Sequence, residues 1–330
     1  MIVEFQYEYE REWDEFVLKQ SINGNFLQTR NFYNYHKQGK FKDASILFMK
    51  EGKIAAVLPA NEINQGKTLL AHQGSTFGGI IIGRNYANTL NYKWIFREMI
   101  EYFHEKKYEL VELRMHHWLY SPDERKNELL DYFFQLNGFL CRCEVGFYID
   151  LNTIGENFTE KFEKLKKRKL NKAQKNGLEF KKIDTDMELL GFYNTLADNM
   201  KKFNTLPVHT YEELLDFKNK RLKETVSFYG VYVKGDIIAG SMVFDFCEKK
   251  VFHTQYLASK HDYLEQCPNE FLYANLIRTA KQEGYQYISF GTSTLEHGNV
   301  YNESLGMYKE GFNTDSYINR TYIWKGDKNA

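Results

Sequence analysis

At 330 residues the chain exceeds the usual size of one domain and suits two, each able to bury its own core. Hydrophobic residues at 43% and aromatics at 16% exclude a disordered chain, and 44 Lys plus Arg against 44 Asp plus Glu leave no global field to draw DNA, RNA or an anionic membrane. Any anion site must be local. The four cysteines have no metal-ligand spacing, since Cys141 and Cys143 are separated by one residue while Cys247 and Cys267 lie apart, so they read as thiols of a reducing compartment. No apolar run approaches a membrane span, and the acidic start MIVEFQYEYERE lacks the regions of a signal peptide, so the expected location is the cytoplasm.

Trp13, Phe16 and Val17 predict a short first helix, and Gln28, Phe32 and His36, four apart, predict one helical face on which His36 is a substrate-binding candidate. Ala44 to Ala60 predicts a hairpin turning at Glu51-Gly52. Gly74, Gly78, Gly79 and Gly83 fit neither phosphate-loop pattern, and they predict bulges or close backbone approach. A helix over Tyr86 to Lys106, a strand over Tyr108 to Met115, a helix over Lys126 to Leu136 and a strand over Gly138 to Leu151 complete the first half. Near the end of the first of these strands Arg114 is a candidate anion clamp. His116 and His117 point apart with no carboxylate at ligand spacing, so no metal site is expected.

Lys161 to Lys175 then carries eight basic residues and one acidic, with Asn157 and Glu160 as a capping box and Asn176-Gly177 as the stop. Lys164, Arg168, Lys172 and Lys175 share one face of this helix while Phe158, Phe162 and Leu165 face the core. The stripe is either a solvated face or a set of contacts to donor phosphates. Ser227 to Ser259 predicts a three-stranded meander, Pro268 to Gly284 a helix, Tyr285 to Phe290 a buried strand, Gly291 to Asn299 a polar loop, and Leu305 to Phe312 the end of a turn-plus-strand pattern. On Val251 to Ser259, alternation puts His253, Gln255 and Leu257 on one face and Phe252, Thr254 and Tyr256 on the other. Asp245 is the expected partner of His253, the pair being either a general base or a satisfied core histidine. Gln255, Thr292, Ser293 and His297 are substrate-binding candidates, the last three because they leave the C-terminal end of a strand. Tyr108 and Tyr285 stand 177 apart, and Gly138-Phe139 and Gly311-Phe312 stand 173 apart, which predicts two copies of one architecture.

This order of elements resembles the acyltransferase fold of the GCN5-related N-acetyltransferases (GNAT). KRKLNKAQKNG (Lys167 to Gly177), YLAS (Tyr256 to Ser259) and YKEGF (Tyr308 to Phe312) resemble more narrowly the Fem-type peptidoglycan aminoacyltransferases. The resemblance implies an α+β fold of two tandem GNAT-like domains, 1–152 and 153–330, with a last strand near 317–330 returning to the first domain. The short stretch from Leu206 to Ser227 leaves no room for the family's helical hairpin. It implies N-acyl transfer to an amine of a cell-envelope precursor, either a peptidoglycan peptide or an amino sugar, through a tetrahedral intermediate whose oxyanion meets donors on a splayed strand pair at Val251 to Ser259. Tyr256 and Lys309 match the family's Tyr and its donor-handling Lys.

The donor implied is aminoacyl-tRNA or acyl-CoA, with no tightly bound cofactor. QCPNEF (Gln266 to Phe271) replaces the coenzyme A loop, Pro268 removing an amide and Glu270 adding a repelling charge, which favours tRNA or an unusual donor. His36 stands where the family has a Lys on its nucleotide-linked substrate, and PVHTY (Pro207 to Tyr211) stands where it has Arg four before Tyr, so a different small-molecule or nucleotide-linked acceptor is expected. A non-catalytic ligand-binding relative, or an acyl-CoA-dependent acetyltransferase of a small-molecule amine, is the alternative.

Overall fold

The computed structural model describes residues 1–37, 39–123, 128–201 and 204–326. It divides into two compact units. Unit 1 comprises Met1–Glu144, Glu296–Asn299 and the chain from Ile318, and unit 2 comprises Val145–Leu295 and Val300–Tyr317. The division at Glu144/Val145 falls inside a strand, eight residues before the boundary expected after 152, because the second half of that strand pairs within unit 2.

Unit 1 opens with β1 (Ile2–Glu4), α1 (Glu10–Glu15) and α2 (Arg30–Tyr33), then β2 (Lys42–Asp43), β3 (Ile46–Lys50), β4 (Lys53–Leu58), β5 (Asn61–Ile63), β6 (Thr68–Leu70) and β7 (Ile81–Ile82). It continues through α3 (Thr89–Glu105), β8 (Leu110–Met115) and α4 (Glu128–Leu136) into β9 (Leu140–Asp150). The expected start of α4 at Lys126 lies outside the described residues. One antiparallel sheet runs β1-β3-β4-β7, and β2, β5, β6 and β8 follow one another in a second, with β6 parallel to β8. Tyr92, Ile95, Phe96, Met99 and Phe103 recur at helical spacing on α3 and pack with Leu130, Phe133 and Phe134 of α4 over Val111, Leu113 and Met115 of β8.

The expected helical face of Gln28, Phe32 and His36 does not form. Asn25 and Gln28 make a capping box around a single 3₁₀ turn, and Thr29 then caps a new helix that ends at Tyr33, so His36 lies beyond it. Each local side-chain hydrogen bond to the backbone competes with helix propagation. The glycines behave as expected: a Cβ on Gly78 would stand 2.7 Å from the Ala71 carbonyl oxygen.

Unit 2 contains α5 (Lys164–Lys175), β10 (Glu179–Lys182), α6 (Asp186–Lys201), α7 (Tyr211–Asp216), β11 (Val226–Val233), β12 (Asp236–Phe246) and β13 (Val251–Ser259). After these come α8 (Pro268–Gln282), β14 (Tyr287–Thr292), β15 (Thr294–Leu295), β16 (Val300–Tyr301), α9 (Glu303–Glu310) and β17 (Asp315–Lys325). Its sheet runs β10-β11-β12-β13-β14 and is completed by Gly146 to Asp150 of β9, while Arg320 to Lys325 of β17 pair with β8 in unit 1. Each unit thus receives the closing strand of the other repeat. The fold is α+β with two tandem GNAT-like halves, and α7 followed by a π-turn to Arg221 fills the stretch where a helical hairpin was not expected.

Two element assignments are corrected. Leu305 to Glu310, expected to lie in a turn-plus-strand pattern, is the helix α9, nucleated where the Asn302 side chain accepts a hydrogen bond from Leu305 N. The basic helix starts at Lys164 with no capping box at Asn157, and its buried side is Lys166, Leu170 and Ala173, whereas Leu165 is 49% exposed. A start several residues later rotates the buried face, which is why a lysine and not Leu165 faces inward.

Candidate active site

β12 and β13 pair from Phe246↔Val251 to Phe244↔His253 and Val243↔Thr254, and then Met242 pairs with Tyr256. Gln255 is therefore the extra residue of a β-bulge. The bulge resets the alternation, so His253 and Tyr256 share one face and Thr254 and Leu257 the other, unlike the strict period of two expected from sequence. On the other edge, β13 pairs in parallel with β14 only from Val251↔Tyr287 to His253↔Ser289. Beyond this point the register with β14 ends, as in the expected splayed pair.

A second irregularity lies opposite. Between Ser289 and Gly291 the pairing of β14 with β9 shifts, and Gly291 takes φ +69, which any other L-residue adopts at a cost. The turn aims the Gly291 and Thr292 carbonyls at one cation: Lys309 Nζ donates to both, at 3.1 and 2.6 Å. Lys309 comes from α9 and is 3% exposed, and burial pushes its pKa down to about 7. Two of its three N–H donors are thereby engaged. Behind it runs a buried polar chain in which His253 Nδ1 lies 3.2 Å from Ser289 Oγ, and Ser289 Oγ lies 3.3 Å from Tyr317 Oη. Gly291 N also donates to Ser289 Oγ at 3.2 Å.

A profile described as Acetyltransferase (GNAT) domain matches residues 161–302. The chain carries a GNAT acetyltransferase domain. This domain makes it an acyltransferase, and the Fem-type resemblance extends to the fold of both halves. The crystal structure of FemX superposes with TM-score 0.67 at 11% identity, covering 99% of this chain and 97% of that one. The C-terminal domain of a putative lysylphosphatidylglycerol synthetase from Agrobacterium fabrum gives 0.61 at 12% identity, covering 97% and 92%. A tandem GNAT protein from the clavulanic acid pathway gives 0.56 at 7% identity, covering 100% and 99%. These likenesses are of fold, and no curated protein matches the sequence.

Within the GNAT domain the expected His253–Asp245 pair is not formed. Asp245 pairs across the strands with Phe252, one step from Phe244↔His253, and so points to the opposite face. Its carboxylate accepts from Lys249 N at 2.8 Å and from Tyr285. His253 is 5% exposed, and burial first, opposed by a hydrogen bond with Gln255, takes its pKa down to about 4. Tyr256 Oη lies 2.6 Å from Nδ1 of His209, a buried residue of the PVHTY stretch that sequence analysis did not place in the site. Ser293 and Thr292 follow Gly291, Ser293 being buried and Thr292 half-buried.

The start of α8 differs from a diphosphate cradle. Glu270, at its third position and 4% exposed, pairs with Lys166 at 3.4 Å and Lys169 at 3.2 Å, both from α5. A carboxylate of the chain itself thus sits buried in the first turn of the helix, held by two lysines from α5. The Lys166 ammonium stands 3.1 Å from the centroid of Tyr308, next to Lys309, and burial lowers its pKa to about 8. Lys164, Arg168, Lys172 and Lys175 are all exposed on the other side of α5.

The remaining candidates lie in unit 1. Arg114 and His297 line one cavity together, whereas His36 is not among its lining residues and its Nε2 lies 3.1 Å from the Gly74 carbonyl oxygen. Burial pushes His36 down to about 4. His116 and His117 face another cavity with Asp131 and Arg320. Among the described residues no three His, Cys, Asp or Glu converge as a metal site, and no helix is long and apolar enough to cross a membrane.

Proposed function

We propose that the chain transfers an acyl or aminoacyl group to an amine of a cell-envelope precursor, a peptidoglycan peptide or an amino sugar. The observation that carries this is the Lys309 ammonium, buried where β13 and β14 part, with two N–H groups held by backbone carbonyls and a third left to meet a developing oxyanion. The acceptor amine attacks the acyl carbon, the carbonyl pair moves onto oxygen beside Lys309, and collapse expels the donor's leaving oxygen or sulfur, which takes up the amine proton. His253 is too weak a base at pKa about 4 to lead this transfer. Its part is to hold Ser289 and, through it, the Gly291 turn. The cell-envelope acceptor is supported by the Fem-type motifs and by the fold shared with FemX and a lysylphosphatidylglycerol synthetase domain.

The donor is one whose phosphates are met by Lys164, Arg168, Lys172 and Lys175, because the first turn of α8 carries the buried Glu270 carboxylate, which repels a phosphate there. Aminoacyl-tRNA fits this better than acyl-CoA. A neutral His36 offers no charge to a nucleotide diphosphate, which supports an acceptor other than a uridine-diphosphate muramyl pentapeptide. Screening wild type and Lys309→Ala by mass shift against charged tRNAs and acyl-CoAs, with peptidoglycan peptides and amino sugars, tests the proposal. Acylation by wild type that Lys309→Ala loses is expected. Tight binding with no product in any combination would leave a ligand-binding protein. Replacing the four stripe residues by Gln should cut the salt slope of tRNA binding by roughly 0.7 to 0.9 log units per lost contact.

A further inference from the structure

On β8 the side chains alternate between two environments. Val111, Leu113 and Met115 enter the core beneath α3 and α4, while Leu110, Glu112 and Arg114 turn to the opposite face of the sheet. That face carries a cavity of about 410 Å³ whose lining belongs wholly to unit 1. Small-molecule sites usually span roughly 300 to 1,000 Å³, so this one suits a ligand the size of a dipeptide or a sugar phosphate.

Its polar lining is that of an anion site. Glu112 is engaged by Arg142 at 3.3 Å, and among the described residues no carboxylate lies within ion-pair distance of Arg114. The guanidinium is therefore the uncompensated charge of the cavity. Thr68 from β6 and Thr321 from β17 add hydroxyls, both residues being buried, on the strands that flank β8. Gln73 adds an amide whose oxygen is taken by Asn61 at 3.0 Å, leaving its NH₂ to donate. His297 stands at the rim, exposed, with φ +55.

We infer that this cavity binds an oxyanion group, a carboxylate or a phosphate, with Arg114 as its charge partner. A planar guanidinium offers two parallel N–H groups to either anion, and a flexible ammonium does not reproduce that fork. The inference rests on the acyl-transfer proposal only in taking the ligand to be the acceptor, since binding here needs no donor and no turnover.

Calorimetric titration of the full chain, without donor, tests it with two matched pairs of probes: an N-acetyl dipeptide against its C-terminal amide, and glucosamine 1-phosphate against glucosamine. The charged member of one pair should bind at least about tenfold more tightly than its neutral partner, and Arg114→Gln should remove that difference, as expected for a charge-assisted hydrogen bond. Which pair responds tells carboxylate from phosphate. Lys309→Ala should leave binding unchanged, which separates failure of this site from failure of catalysis. Arg114→Lys, which keeps the charge, should bind several-fold more weakly and serves if the Gln variant does not fold. No preference for either anion, or full affinity in the Arg114 variants, would overturn the inference.

Discussion

Where unit 2 has Gly291 on β14, unit 1 has Arg114 on β8, because the offset relating Tyr285 to Tyr108 relates these two as well (291 − 177 = 114). Gly291 adopts a positive φ that turns two carbonyls toward a buried ammonium, whereas Arg114 stays in a regular strand and reaches outward with its own side chain. The other landmark offset places Leu136, 60% exposed, where unit 2 has Lys309 (309 − 173 = 136). One architecture thus supports two kinds of cation. A backbone irregularity fixes the first deep inside the sheet edge, and a plain strand presents the second to an open cavity. As proposed, chemistry lies in unit 2 and recognition in unit 1, and that division can be broken experimentally.

The largest contrast is expected at the helices that begin each α-β pair. Glu270→Ala would leave Lys166 buried without its carboxylate and should lower stability by about 3 to 5 kcal/mol. Asn88→Ala, at the exposed cap of α3 where the side chain accepts from Asn91 N at 3.1 Å, should lower it by only about 1 kcal/mol. Urea denaturation of both variants compares them directly, and equal losses would show that the Glu270–Lys166 pair adds nothing beyond a cap.

Next comes the asymmetry of the two cations. Lys309→Met should reduce kcat by about 10²- to 10³-fold, the usual effect of losing one oxyanion donor, while Leu136→Lys should change it less than about twofold. Stability should move with pH in the same variant. Burial lowers the Lys309 pKa to about 7 from its ordinary 10.5, so between these values the unfolded chain holds a proton that the folded chain has released. Wild-type stability should therefore gain on that of Lys309→Met as pH rises from 7 to 10. A constant difference across that range would mean that Lys309 is not desolvated.

Smaller effects should follow at the turn and the buried tyrosine. Gly291→Ala should cost about 1 to 2 kcal/mol for its left-handed backbone and lower kcat with it, because the carbonyls that hold Lys309 move. Unaltered kcat in a folded Gly291→Ala protein would detach the turn from catalysis. Tyr256→Phe, which loses the bond to His209, should cost about 1 kcal/mol and leave the Arg114 cavity unaffected, as binding of its anion would report.

Features dictated by neighbouring residues were legible in the chain. The predicted hairpin turn at Glu51-Gly52, and the turn at Lys234-Gly235 that joins the first two strands of the predicted meander, each carry two consecutive positive φ angles, the type I′ geometry that a terminal glycine favours. Pro268 opens α8 at its first turn, and Gly284 follows its end with φ +84, so one rigid φ and one permissive residue bound that helix as expected. The duplicated order of elements was equally visible, since it requires only that hydrophobic spacing and turn residues recur at similar offsets.

What the tertiary structure decided was phase, pairing and burial. The bulge at Gln255 arises from matching β13 to β12 and brings His253 and Tyr256 to one face, while the regular pairing of Asp245 with Phe252 sends that carboxylate to the other. Lys166 is buried because Glu270, 104 residues away, waits for it at the start of α8, a partner that no local pattern on α5 could reveal. Likewise Tyr308 ends up in the helix α9 and Phe312 just beyond it, where they pack against Tyr273 and Phe290. The sequence by itself determined the elements, their order, their duplication and the cations available, because these depend on contacts a few residues apart. Which cation is buried, which faces an open cavity, and which histidine is silenced by desolvation depended on long-range packing, where free energy is set by residues that meet only in the folded chain.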